Sequence, residues 1–359
     1  MTWIAILLTL KANMDPSTVA SSGRVNVCVV GCGYWGKNLV RNFSNLGRLY
    51  GFFESDIPRS AALSAQYSRA KPFAHFEDAL HDPEVDAIVL ATPAEQHASM
   101  AIAALEAGKD VFVEKPLALD WQAGMEMVQV ARRHQRILMV GHLLRYHPAI
   151  LQIQELLAQG VLGKIEYIYS NRLSMGKIRR EENALWSFAP HDISVILSLT
   201  GEMPLQVGAT GGTYLQPNIA DVTLSHLLFD HGKRAHIFVS WLHPYKEQRL
   251  VVIGSKQMVV FEDSRLDNKL LLYDKQIELK NGMLEACRPV GRPVEFAADE
   301  PLLRECEHFV ECVQTRKAPL TPGEEGVQVL QVLQACQRSL QLNGETVQVG
   351  QQGQSTIRM

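Results

Sequence analysis

The sequence lacks the features that would set it apart from ordinary globular chains. Its six cysteines, Cys28, Cys32, Cys287, Cys306, Cys312 and Cys336, form no C-x-x-C pair and no zinc-ribbon spacing. The expectation is therefore no disulfide, no structural metal, and small buried thiols in a reducing, cytoplasmic compartment. Charge of one sign is not in excess either: 35 Lys and Arg face 38 Asp and Glu, for a formal net charge of -3. No stretch concentrates basic residues as a phosphate-tracking face would, so nucleic acid is not an expected partner. Long apolar runs are missing as well. The run from Trp3 to Leu10 is eight residues, too short to cross a bilayer and without a basic residue ahead of it, so no membrane partner is expected. A weak signal peptide and an upstream extension of a start at Met14 are the two readings of residues 1–23; the extension, poorly ordered, is preferred. Internal repeats, low-complexity tracts and long flexible linkers are absent too.

What is there fits two domains. The chain has 359 residues, 47% of them hydrophobic and 20% charged, enough for two sizeable cores. From Arg24 onward, short β-rich runs alternate with segments of helical period: RVNVCVVG, then Tyr34 to Leu46, RLYGFFES, DAIVLATP, DVFVEKP and ILMVGH. Strands separated by helices of this length make parallel βαβ units, so residues 24–145 read as an α/β doubly wound sheet. After Tyr146 a helix from Ala149 to Ala158 precedes GKIEYIYSNRLSM, and closely spaced strands follow from Gln206 to about Leu279, with turns at FDHGK, IGSKQ and LDNK. Strands without intervening helices predict an open antiparallel sheet in an α+β domain over residues 146–347, with 348–359 as a tail. Helical period returns from Glu300 to Gly344, broken at APLTPGEEG.

GCGYWG places Gly31, Gly33 and Gly36 directly after a Val-rich strand and before a helix. The first glycine permits the tight turn, the second lets backbone approach a pyrophosphate, and the third lets helix pack on strand. Free N–H groups at that helix N-terminus then face the phosphates. The following strand ends in Glu54, the natural acceptor for a ribose 2'-hydroxyl, whose charge repels a 2'-phosphate. NAD is thus favoured over NADP. Arg59 stands nearby, either to accept a phosphate or to lie over the adenine face. Two later strands close with ATPAEQH and VEKPLAL, at the sheet edge where open α/β folds bind ligands. Lys115 there is either poised near the nicotinamide end or a solvated loop cation paired with Glu114.

One further stretch, LWSFAPHDISVILSL from Leu185 to Leu199, puts a His-Asp pair at the head of an apolar run. Pro190 and Asp192 read as the first turn of an amphipathic helix with His191 at its mouth. Taken alone, His191 reads first as a core-edge histidine, with Asp192 complementing the helix dipole.

Together GCGYWGKNLVRNF, ATPAEQH, EKPLAL, GHLLRYHP, LWSFAPHDISVIL and SWLHPYKEQRLVVIGSKQMVVFED resemble, in order, the glucose-fructose oxidoreductase, inositol dehydrogenase and MocA family. The resemblance runs from Arg24 to about Val347. The YWGKN loop and the WSFAPHDIS block look most like its sugar-nucleotide dehydrogenases, those that oxidise UDP-N-acetylamino sugars or their uronates for surface polysaccharides. It implies a Rossmann domain followed by an open antiparallel sheet, with Lys115 and His191 as catalytic residues. Tyr34, Trp35, Thr92, Pro93, His97 and Glu114 join the glycines, Glu54, Arg59 and Lys115 as expected cofactor contacts. Arg145, Tyr146, Arg172, Ser187 and Asp192 join Lys115 and His191 as candidate substrate contacts, arginine because it grips carboxylates and phosphates bidentately. Many relatives carry an aspartate four positions before the histidine; here Ser187 stands there, either to bond a sugar hydroxyl or to cap the helix. His142, His147 and His243 invite a metal reading, but hydride chemistry belongs to the nicotinamide and no metal is expected.

The expected activity is oxidation of a carbinol, His191 taking the hydroxyl proton and Lys115 steadying the oxygen. The sugar-nucleotide reading stands beside a dehydrogenase of a free sugar or inositol and a non-catalytic NAD sensor; the retained Lys115 and His191 argue against the sensor. A homo-oligomer, dimer or tetramer, through the antiparallel sheet is expected.

Overall fold

Four residues of β1 (Val27–Val30) and four of β4 (Ala87–Leu90) are all buried, as parallel strands covered on both faces must be. The computed structural model describes residues 24–176, 178–275, 277–286 and 289–350. The expectations for residues 1–23, for Cys287 and for the tail beyond Gly350 fall outside these. The first sheet is six-stranded and wholly parallel in the order β3-β2-β1-β4-β5-β6. Its other strands are β2 (Leu49–Phe53), β3 (Lys71–Phe73), β5 (Asp110–Glu114) and β6 (Leu138–Gly141). The order reverses between β1 and β4, and the crevice outside the carboxyl ends of those strands is the ligand position of such folds. Between the strands run α1 (Gly36–Asn45), α2 (Ile57–Gln66), α3 (Phe76–His81), α4 (Ala94–Glu106) and α5 (Trp121–Arg133). Each start has a local cause where a cap is present: Asp56 accepts the Arg59 N–H and Asp120 the Ala123 N–H, both at 2.8 Å.

After α6 (Pro148–Ala158) come β7 (Ile165–Leu173) and α7 (Ala184–Thr200), then the strands of a second sheet. These are β8 (Gln206–Gly212), β9 (Val222–Leu228), β10 (Arg234–Ser240), β11 (Glu247–Gly254), β12 (Gln257–Glu262) and β13 (Leu270–Asp274). β14 (Ile277–Lys280) and β15 (Met283–Ala286) pair as a separate hairpin, and β16 (Arg292–Pro293) returns to the sheet edge. The sheet has nine strands, ordered β16-β13-β12-β11-β7-β10-β9-β8-β17, with β17 at Val347–Gln348. It is mixed rather than purely antiparallel: β7 and β10 pair in parallel because α7 and a hairpin lie between them in sequence. Strand pairing continues through Gln348, one residue past the expected tail boundary.

Two C-terminal helices join the sheets. α8 (Pro301–Thr315) lays Leu302, Cys306 and Phe309 onto the first sheet beside α1, where Phe309 meets Phe43 and Phe112 edge-on. α9 (Gly323–Gln341) buries Val327 and Leu330 against the first sheet's other face and Val329, Val332 and Leu333 in the core of the second. That shared helix fixes how the two halves face each other. Among the described residues no helix is long and apolar enough to cross a membrane. Cys28, Cys32, Cys306, Cys312 and Cys336 are free and buried.

Candidate active site

The turn after β1 is shaped by steric necessity. Gly31 has φ +82, and a Cβ there would stand 2.8 Å from the Ala91 carbonyl oxygen; one on Gly36 would lie 1.9 Å from that of Gly31. At Gly33 a Cβ would meet only an Arg59 nitrogen at 3.9 Å. The open space above Gly33, at the N-terminus of α1, is a cradle for a pyrophosphate. Glu54 leaves β2 buried, accepting the N–H of Cys32 at 2.8 Å and of Asp56 at 2.9 Å, and pairs with Arg59 at 3.0 Å. The carboxylate thus shapes the glycine turn and presents negative charge where an adenosine ribose would lie. Arg59, held by Glu54 and Asp56, is not a free phosphate receptor.

At the ends of β4 and β5 several polar groups lie close together. Thr92 Oγ1, just past the carboxyl end of β4, is buried with no partner among the described residues, an orphaned polar atom. His97 is buried between the carbonyl oxygens of Pro116 (2.8 Å) and Thr92 (2.9 Å), and its neutral ring donates its single N–H to one of the two. Burial lowers its proton affinity. Trp35 Nε1 donates to Glu114 at 2.5 Å, tying the glycine turn to the end of β5. Burial pushes the Glu114 carboxyl up to about 7, against the Trp35 bond and the Lys115 charge. Tyr34 stays exposed, with the Lys37 ammonium over its ring, and Pro93 leads into α4.

Lys115 is no solvated loop cation. Its ammonium donates to the Ser187 carbonyl of α7 at 3.2 Å. Burial depresses its proton affinity, with Glu182 and Glu114 opposing and Arg179 and Arg172 reinforcing the effect. α7 itself corrects the sequence reading: the helix starts at Ala184, seven residues before His191, because Asn183 caps it by accepting the Trp186 N–H at 3.1 Å. Pro190 is therefore inside the helix. Its missing N–H and its ring disturb the carbonyls one turn back, and the neighbouring Ser187 carbonyl takes the Lys115 proton donor. Ser187 is not the cap, since Asn183 is.

Nor does Asp192 complement a helix dipole. It is buried in mid-helix, accepting two bonds from Arg172 at 2.9 and 3.0 Å and one from Ser170 at 2.6 Å. His191 Nδ1 is buried without a partner. Its proton affinity is held well below the histidine range, first by burial and then by the charges of Lys115, Arg172 and His142. Asp192→Asn leaves the Arg172 guanidinium uncompensated in the interior, so the variant is expected to lose about 3–5 kcal/mol in denaturant unfolding; unchanged stability would show the pair to be dispensable.

The model for "Oxidoreductase family, NAD-binding Rossmann fold" matches residues 25–142, and that for the "GFO/IDH/MocA C-terminal domain" matches 150–260. The chain belongs to this family. It is an oxidoreductase with an NAD-binding Rossmann domain, and the glycine cradle, Glu54 and Thr92 fit that cofactor. The UDP-N-acetylglucosamine 3-dehydrogenase of Acidithiobacillus ferrooxidans is 27% identical over 309 residues, 84% of this chain and 93% of its own. The scyllo-inositol 2-dehydrogenase (NAD(+)) of Bacillus subtilis is 26% identical over 289 residues, 76% and 80% of the two chains. A solved structure of the Acidithiobacillus enzyme superposes with a TM-score of 0.78 at 24% identity, covering 89% of this chain and 98% of that one, a likeness of fold.

The remaining family positions sort by what already holds them. Arg145 is buried and paired with Glu325. Glu325 also meets His142 at 3.3 Å and accepts from Ser194 at 2.6 Å, an ionic knot joining the turn after β6, α7 and α9. Tyr146 is buried beside the first sheet, its hydroxyl 3.0 Å from His308. His147 faces Asp263 at 3.7 Å and His243 bonds the Tyr245 carbonyl; among the described residues no three His, Cys, Asp or Glu groups gather as a metal site. Sequence reasoning missed Glu325, whose partners lie about 180 positions away. It also missed Arg179 and Glu182, an ion pair at 3.1 Å beside Lys115, for which the charged run RREEN before the histidine block was a signal.

Because Glu54 opposes a 2'-phosphate, NADH is expected to bind more tightly than NADPH, and Glu54→Gln to narrow the gap. Fluorescence titration with both cofactors measures it; tighter NADPH binding by the native chain would reverse the assignment.

Proposed function

We propose that the chain is an NAD-dependent dehydrogenase that oxidises a hydroxyl of a nucleotide-activated N-acetylamino sugar or its uronate, in the making of surface-polysaccharide sugars. The observation that supports the reading is the bond from Lys115, at the end of β5, to the Ser187 carbonyl of α7, one turn before His191, at the strand edge that also carries the open glycine cradle. NAD, when bound, supplies the hydride acceptor. Neutral His191 accepts the proton of the substrate hydroxyl, and Lys115 directs its ammonium at the same oxygen and stabilises the charge that develops there. Ser187, buried one turn before His191, offers its hydroxyl to a neighbouring sugar hydroxyl. Residues 24–145 form the cofactor domain and 146–347 the substrate domain in this reading. The chain works in the cytoplasm as a dimer or tetramer joined through the nine-stranded sheet.

The similarity to the UDP-N-acetylglucosamine 3-dehydrogenase over most of both chains favours the activated sugar. The similarity to an inositol dehydrogenase keeps a free sugar or inositol as the second reading. Following reduced nicotinamide absorbance with UDP-N-acetylglucosamine, its uronate, glucose and myo-inositol separates them. Turnover of a UDP-sugar alone is the expected result, and turnover of inositol alone would replace the first reading by the second.

A further inference from the structure

We propose that segment 178–183, with Arg179 as its cation and Tyr214 on the adjoining turn as its platform, binds the nucleoside diphosphate of the activated sugar. This rests on the dehydrogenase reading above and deepens it.

A diphosphate needs a cation that the fold has not already committed. Arg172 is bound twice by buried Asp192, and Arg145 is paired with Glu325; transferring either to a ligand would strand a buried carboxylate. Arg179 differs. Its one ion pair, Nε to Glu182 at 3.1 Å, is an i,i+3 contact between side chains 41% and 24% exposed. Exposed pairs of this kind add little stability, and no other bond to the Arg179 guanidinium forms among the described residues. Its two terminal nitrogens therefore remain a fork suited to phosphate oxygens. Both members of the pair lie on the stretch that leads into α7, whose Ser187 carbonyl accepts the Lys115 ammonium, and both act electrostatically on Lys115.

The adjoining turn carries a face for a base. Gln216 donates to the Arg179 carbonyl at 2.8 Å, joining the two segments. The turn holding Gln216 is braced by Asp221, whose carboxylate accepts the N–H groups of Tyr214 and Leu215 at 2.6 and 2.9 Å. Tyr214 lies across Gly212, where a Cβ would come within 2.6 Å of the ring, yet the residue is 73% exposed. Leu215 and Ile178 are exposed beside it. A braced, open aromatic ring, on a turn whose Gln216 bonds the Arg179 backbone, offers stacking to a nucleobase, and the arginine charge to its phosphates.

Calorimetric titration of the NADH-saturated protein with UDP tests this, since NADH blocks the adenine nucleotide site. Arg179→Gln is expected to weaken UDP about tenfold or more and Arg179→Lys to restore part of that loss. Tyr214→Ala is expected to weaken it about fivefold or more, while Arg133→Gln, on the exposed face of α5, leaves it unchanged. NADH affinity, read by fluorescence, stays the same in all four variants and reports that each is folded. Equal UDP affinity in the native chain and Arg179→Gln, or no UDP binding by the native chain, overturns the proposal. Arg179-dependent UDP binding without oxidation of any UDP-sugar would keep the subsite and overturn the dehydrogenase reading instead.

Discussion

Replacing His191 with asparagine is expected to lower the hydride-transfer rate about a hundredfold or more, with NADH affinity unchanged. Burial and the positive charges of Lys115, Arg172 and His142 hold the imidazole neutral well below the ordinary histidine range. The native enzyme should therefore keep a flat rate through neutral pH and lose activity only in acid, where His191 finally takes a proton and can no longer accept one from substrate. The asparagine variant should lack that acid limb. Stability follows the same linkage. The folded pKa is depressed, so the unfolded chain binds more protons below about pH 6.5 and the native protein loses stability as pH falls from there. The variant should lose less over the same range. Single-turnover rates from pH 5 to pH 8, with urea unfolding at the two ends, measure both; full activity in the variant would remove His191 from the mechanism.

Lys115→Met is expected to cost about a hundredfold or more in turnover while leaving cofactor affinity nearly intact. Methionine keeps much of the side chain's length and apolar stem but gives up the ammonium that bonds the Ser187 carbonyl and that the proposed mechanism aims at the reacting oxygen. A second effect distinguishes this loss from general damage. Lys115 charge is the leading electrostatic cause, after burial, of the low His191 proton affinity. Its removal should move the acid limb of the pH profile upward, because an imidazolium is easier to form without a cation beside it. Turnover near the native level, or a reduced rate with an unmoved acid limb, would return Lys115 to a purely structural part.

Much of this site was legible because its signals are local. GCGYWG, the acid ending β2 and the lysine after β5 each sit where a strand gives way to a turn, and hydrophobic period alone locates those ends. The WSFAPHDIS block supplied the histidine proposed as the base, yet misled about its surroundings. Proline beside a His-Asp pair resembles a helix start, but Asn183 supplies a stronger one seven residues earlier, and propensity yields to a satisfied cap. Ser187 and Asp192 then changed meaning with the register, one leaving the cap and the other entering the core.

The sequence by itself determined the two-part architecture, the nucleotide-binding turn and the two residues proposed for proton transfer and charge stabilisation. Periodicity and glycine sterics act over a few residues and need no distant partner. Only the tertiary structure decided which charges remain free to act. Arg145 and Arg172 read as ligand-binding groups until Glu325 and Asp192 are seen to hold them, and Arg179 gains importance because its own pair is exposed. A buried charge must find a counter-charge wherever the fold brings one, and that partner can lie at any distance along the chain.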